Sequence, residues 1–116
     1  MKRILVVDDH PDILEVVKMT LEMAGYEVST SLTGACFQQL ENDLPDLILL
    51  DVLLSGEDGY AICQRLKDDE KTRHIPVILL SAHFSARDSP EMSGADAFLP
   101  KPFHLLELID LVKRYL

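Results

Sequence analysis

The chain is poor in cysteine, poor in basic residues and free of any long apolar run. Its 116 residues hold two cysteines, Cys36 and Cys63. They stand apart, with no CxxC spacing and no neighbouring histidine set. A disulfide framework or a zinc site is thereby excluded, and both are expected to be small buried hydrophobes in a reduced, cytosolic chain. Lysine and arginine number 11 against 20 acidic residues, a formal net charge of −9. Such a chain repels nucleic acid and anionic membranes and attracts divalent cations. No stretch approaches the roughly 20 apolar residues of a membrane helix. The start, "MKRILVV", meets Asp8 too soon for a signal peptide. Repeats, low-complexity tracts and Pro/Gly/Ser linkers are also missing, so a single domain over 1–116 is expected.

What is present is a folding composition. Hydrophobic residues make up 47% of the chain and mean hydropathy is +0.09, above the range of disordered tails. Short apolar runs alternate with helical patterns. Ile4 to Val7 has no polar alternation, as expected of a strand covered on both faces. Pro11 suits a first helical turn. Ile13, Leu14, Val17, Leu21 and Ala24 then keep helical spacing, and Gly25 stops the helix. Tyr26 to Ser31 reads as a second strand, and Thr33 to Asn42 as a helix with Phe37 and Leu40 inward. "DLILLD" is a third strand ending at Asp51. The loop "VLLSGEDG" leads to a helix over Tyr60 to Asp69, with Ile62, Cys63 and Leu66 on one face. "IPVILLS" is a fourth strand ending at Ser81, and Phe84 to Met92 a weak helix. "ADAFLP" is a fifth strand, and Phe103 to Leu116 a final helix.

This alternation predicts an α/β fold, a doubly wound five-stranded parallel sheet with helices on both faces. The flavodoxin-like strand order 2-1-3-4-5 follows, with ligands bound where the winding reverses between the first and third strands. Asp8 and Asp9 end the first strand and Asp51 ends the third. Neighbouring strands are ~4.8 Å apart, so three carboxylates converge. Left alone, they raise one another's pKa and weaken the fold. A divalent cation relieves the repulsion, and oxygen ligands favour Mg²⁺. Ser81, after the fourth strand, and Lys101, fixed between two prolines after the fifth, point at the same patch. Metal, acid, hydroxyl and ammonium together describe a phosphoryl-transfer site with a carboxylate nucleophile.

The motifs "VVDD" at 6–9, "DLILLD" ending at Asp51, "DG" at 58–59, "SA" at 81–82, "GAD" at 94–96 and "KPF" at 101–103 appear in order over nearly the whole chain. In this set the chain resembles the response-regulator receiver domains of two-component signalling. The resemblance implies a phosphorylation-dependent switch rather than a conventional enzyme, one that catalyses its own phosphoryl transfer and slow dephosphorylation. Asp51 would be the phosphoacceptor. Asp9, Asp51 and the carbonyl of Leu53 would bind Mg²⁺, with Asp8 acting through water. Lys101 and Ser81 would hold phosphoryl oxygens, and small Ala82 would leave room for the group. Ser81 and Phe98 would move together as the switch, and the Lys101–Pro102 bond would be cis. The implied partners are a histidine kinase or phosphotransfer protein, and an output domain or protein on the face of the fourth helix, fifth strand and fifth helix. No direct nucleic-acid or membrane partner is expected. The residues after Leu116 in the intact gene product would decide whether an output domain follows.

Several departures bear on these expectations. Ser55 stands where proline is usual, and Phe98 lacks a tyrosine hydroxyl. "HFSARDSPEMSGAD" is short and carries Ser85, Ser89 and Pro90, so the fourth helix should be short, irregular or mobile. The histidines His10, His74, His83 and His104 do not cluster in sequence; His83 lies near the site and either tunes dephosphorylation or is a loop histidine with no special role. In the final helix, Leu105, Leu108, Ile109, Leu111, Val112, Tyr115 and Leu116 cover an arc of about 160°, wider than a core-facing stripe, with Leu106 beyond it. The surplus suggests a partner or a homodimer, unless Leu105 and Leu106 pack beneath the loops.

Four other classes compete. An aspartate-nucleophile phosphatase usually has a second acid two positions on, where this chain has Leu53. An FMN carrier needs a Ser/Thr/Gly-rich loop where "DDHPD" is acidic. An all-helical phosphohistidine relay is excluded by the strands. A phosphorylation-independent pseudo-receiver, acting only as an interaction module, is the alternative retained.

Overall fold

A computed structural model describes residues 1–39, 43–54, 56–82 and 94–116. Strands β1 (Arg3–Val7), β2 (Glu27–Ser31), β3 (Leu47–Asp51), β6 (Val77–Ser81) and β7 (Ala97–Pro100) form one parallel sheet in the order β2-β1-β3-β6-β7. That is the expected 2-1-3-4-5 order. Strands β4 (Leu53–Leu54) and β5 (Glu57–Asp58) make a small antiparallel ribbon inside the loop after β3. The described helices are α1 (Pro11–Met23), α2 (Gly59–Asp68) and α3 (Leu105–Tyr115).

The apolar runs are buried on both faces because adjacent side chains in a strand point opposite ways. Leu5, Val7, Ile48, Leu50, Val77 and Leu79 face the α2 side. Ile4, Val6, Leu47, Leu49, Ile78 and Leu80 face α1 and α3, meeting Leu14, Val17, Leu21, Leu108 and Val112. Register carries the run ends to one level. Val7 pairs with Ser31 and Leu50, Asp51 with Leu80, and Ser81 with Pro100.

Two expectations change in detail. In place of an α-helix from Thr33, a 3-10 helix spans Gly34–Gln39. Local side-chain bonds compete with the helical ladder there. The Ser31 hydroxyl donates to Thr33 O, and the Ala35 N–H donates to Thr33 Oγ1. The Gly34 N–H is held from outside by Glu57 Oε1 at 2.9 Å. The last helix starts at Leu105 rather than Phe103, because His104 and Glu107 close a reciprocal cap at its entry. Leu105 and Leu106 do not pack beneath a described loop; they are 41% and 74% exposed. Ser55 and the segment read as a short fourth helix, with His83, Ser85, Ser89 and Pro90, lie outside the described residues.

Candidate phosphoacceptor site

The site lies at the carboxyl ends of β1, β3, β6 and β7. Each strand delivers its polar residue there because its apolar run ends at the same level. The Asp8 N–H still pairs with Ser31 O at 3.1 Å, so Asp8 continues β1 by one residue. Its side chain is fully buried. Asp51 ends β3 at 3% exposure. The main-chain N–H of Lys101 donates to Ser81 O at 2.8 Å, tying the residue after β7 to the end of β6. The Lys101–Pro102 peptide is cis, as expected.

Lys101 Nζ lies 2.8 Å from Asp8 Oδ2 and 3.2 Å from Asp51 Oδ2. Its side chain is 13% exposed, so these are buried, charge-assisted contacts. Asp51 Oδ1 accepts the Leu53 N–H at 3.3 Å. Asp9 completes the group of acids, with its side chain 20% exposed. One ammonium therefore contacts two carboxylates, with a third alongside. Burial, and then the neighbouring charge of Asp8, push the Asp51 carboxyl above its usual range; Lys101 and the Leu53 N–H only partly oppose this.

Gly59 explains the "DG" motif in packing terms. A Cβ on Gly59 would stand 2.3 Å from Asp51 O and 2.6 Å from the Val52 Cα. No side chain fits there, so α2 can begin hard against the end of β3. Its N-cap is Asp58, whose carboxylate accepts the Tyr60 N–H at 3.0 Å.

The structure brings Asp8, Asp9, Asp51 and Lys101 together as expected, and places buried Ser81 and exposed Ala82 at the next strand end. Leu53 shares the loop with its side chain 63% exposed. Phe98 is half-buried against the core on the α2 side, one strand away. His10 was missed. Its Nδ1 lies 2.9 Å from Asp8 Oδ1 and 3.1 Å from Asp9 Oδ1. The available signal was position, since His10 directly follows Asp9 and precedes the helix-opening Pro11. Hydrogen bonding to Asp8, more than its charge, raises the His10 pKa.

Asp8, Asp9, His10 and Asp51 each offer a ligand atom within 4.8 Å of the others. This mostly oxygen donor set carries more negative charge than the lysine balances. It is consistent with a hard divalent cation such as Mg²⁺.

Sequence and structure comparisons agree with this geometry. The chain matches the response regulator receiver domain family over residues 4–113, and it belongs to that family. It is 44% identical to the DNA-binding dual master transcriptional regulator RpaA of Synechocystis sp., over all of this chain and 49% of that protein. It is 46% identical to the response regulator PleD of Caulobacter vibrioides, over 86% of this chain and 23% of that one. The chain thus spans half or less of these two curated relatives. The response regulator TrrA of Thermotoga maritima, solved in complex with Mg²⁺–BeF, superposes with a TM-score of 0.88 at 34% identity, covering 100% of both chains. Among the described residues, no helix is long and apolar enough to cross a membrane.

Proposed function

We propose that this receiver domain is a phosphorylation-dependent switch that accepts a phosphoryl group on Asp51. The donor is a phosphohistidine on a histidine kinase or phosphotransfer protein. One observation carries the reading. Lys101 bridges Asp8 and Asp51 at 2.8 and 3.2 Å in a pocket that still holds an excess of carboxylate.

An Asp51 carboxylate oxygen attacks phosphorus as the bond from phosphorus to the donor imidazole nitrogen breaks. The electron pair of that bond leaves with the imidazole. Asp9, Asp51 and the Leu53 carbonyl would hold Mg²⁺, with Asp8 acting through water, and the bound ion would supply charge neutralisation for the phosphoryl oxygens. Lys101 exchanges its contact with Asp51 for a phosphoryl oxygen, and the Ser81 hydroxyl donates to another. Ala82 leaves space for the group.

Ser81 and Phe98 then shift together and alter the surface of β7 and α3, together with the segment at 84–92. That surface takes an output domain or a protein partner. The exposed Leu105 and Leu106 suit a partner or a second copy of the chain. The domain is read as one receiver over 1–116, working in the cytoplasm.

The test is incubation with acetyl phosphate and Mg²⁺, followed by intact-mass measurement. Wild type should gain one phosphoryl group, chelation of the metal should prevent it, and Asp51→Asn should gain none. Equal labelling of Asp51→Asn would overturn the assignment. No uptake by wild type would leave the phosphorylation-independent interaction module.

A further inference from the structure

His10 belongs to the acidic cluster, yet phosphoacceptor chemistry gives it no task. It is the N-cap of α1, with φ −102° and ψ 105°, and its side chain makes no capping bond. The ring turns back over the strand end instead. Nδ1 stands 2.9 Å from Asp8 Oδ1 and 3.1 Å from Asp9 Oδ1, while the His10 N–H donates to Asp8 Oδ1 at 3.0 Å. Lys101 takes the other oxygen of Asp8 and an oxygen of Asp51. The pocket therefore has two sides, an ammonium side and an imidazole side. The imidazole side faces solvent, since the ring is 62% exposed.

The spacing has a second meaning. In an octahedral shell with metal–ligand bonds of ~2.1 Å, adjacent ligand atoms are about 3.0 Å apart. Nδ1 holds that separation from Asp9 Oδ1, at 3.1 Å. Asp51 also brings a ligand atom within 4.8 Å of the other three residues'. One nitrogen and carboxylate oxygens at neighbouring positions are a donor set for borderline divalent cations. Imidazole binds Co²⁺, Ni²⁺ and Zn²⁺ well, whereas Mg²⁺ prefers oxygen.

We propose that His10 Nδ1 is a nitrogen ligand in this pocket, so that His10 raises the site's affinity for Ni²⁺ and Co²⁺ relative to Mg²⁺. The ligating tautomer carries its hydrogen on Nε2. His10 favours the borderline ions selectively, because Mg²⁺ gains little from exchanging a water for an imidazole. This rests on the reading of the pocket as a cation site, and the test separates the two.

The experiment is calorimetric titration of the full chain with Mg²⁺ and with Ni²⁺, in wild type, His10→Ala and Asp9→Ala. A pulsed electron-resonance measurement of bound Mn²⁺ accompanies it, on chain labelled with ¹⁵N-histidine. His10→Ala should lower Ni²⁺ affinity by roughly tenfold or more and change Mg²⁺ affinity by less than about threefold. The Mn²⁺ echo should carry histidine nitrogen modulation that is lost in His10→Ala. Mg²⁺ binding that is sensitive to Asp9→Ala, with Ni²⁺ affinity unchanged in His10→Ala and no histidine modulation, overturns this inference alone. Failure of wild type to bind either cation overturns the reading beneath it as well.

Discussion

Two lysines at opposite ends of the sheet meet aspartates at nearly the same distance and in very different company. At the amino ends of β6 and β7, Lys67 Nζ lies 2.7 Å from Asp96 Oδ2 and donates to Ile75 O at 2.8 Å and Arg73 O at 3.3 Å. Asp96 Oδ2 also accepts the Val77 N–H at 2.8 Å. One cation meets one anion there, and main-chain groups share the rest of the bonding. At the carboxyl ends, Lys101 faces Asp8 and Asp51 directly, with Asp9 and His10 alongside. The first network closes on itself. The second leaves negative charge over, at a cost to the fold. The difference shows why an ion pair by itself says little about function, whereas a buried surplus of one sign points to a missing charge.

Removing each lysine should expose this difference. Lys101→Met leaves buried Asp8 without its ammonium and should cost about 3 kcal/mol in urea unfolding. Millimolar Mg²⁺ should restore part of that loss, since a ligand bound only by the folded state stabilises it. Lys67→Met should cost less, about 2 kcal/mol, because water reaches the half-exposed Asp96. Mg²⁺ should restore none of it. Equal costs with equal Mg²⁺ responses would erase the distinction between the two ends.

Thr72 sharpens the closed end. Its hydroxyl donates to Leu66 O at 2.6 Å in a buried position. Thr72→Val should lower stability by about 1 kcal/mol with no dependence on Mg²⁺. A Mg²⁺-dependent loss would mean that the two ends are coupled.

The smallest expected effect is in pH. Asp51 has a raised folded-state pKa, led by burial and then by Asp8, so the folded chain holds this proton more tightly than the unfolded one. Between the ordinary value of 3.8 and the raised one, stability therefore falls as pH rises. His10, raised chiefly by its hydrogen bond to Asp8, acts in the same direction. Its contribution is present below 6.5 and is lost as pH climbs through the raised value. Thermal melting without metal should thus shift upward on mild acidification, and Asp51→Asn should flatten the lower part of that slope. An unchanged slope in Asp51→Asn would remove Asp51 as its source.

Much of this was legible in the sequence, because a parallel sheet converts run ends into neighbours. Once Ile4–Val7, "DLILLD" and "IPVILLS" are read as strands, the meeting of Asp8, Asp9 and Asp51 follows from strand order alone. Lys101 was legible because prolines on both sides fix its direction. The second helix was not. Its 3-10 geometry goes with local bonds at Ser31 and Thr33 and with Glu57 reaching Gly34 across 23 residues, and no local pattern announces the last contact. The β4–β5 ribbon was hidden for a related reason, since two-residue strands leave no periodicity to read. His10 was not legible, because no other histidine lies near it in sequence. Its partners are Asp8 and Asp9, and the turn at the N-cap of α1 brings its ring back over them.

The most direct measurement is calorimetric titration of Mg²⁺ into the wild-type chain, Lys67→Met and Asp9→Ala. If the surplus of acid at the carboxyl ends is there to receive a cation, wild type and Lys67→Met bind one Mg²⁺ each with the same affinity, and Asp9→Ala loses about tenfold or more. No Mg²⁺ binding by wild type, or binding undiminished in Asp9→Ala, would contradict the account.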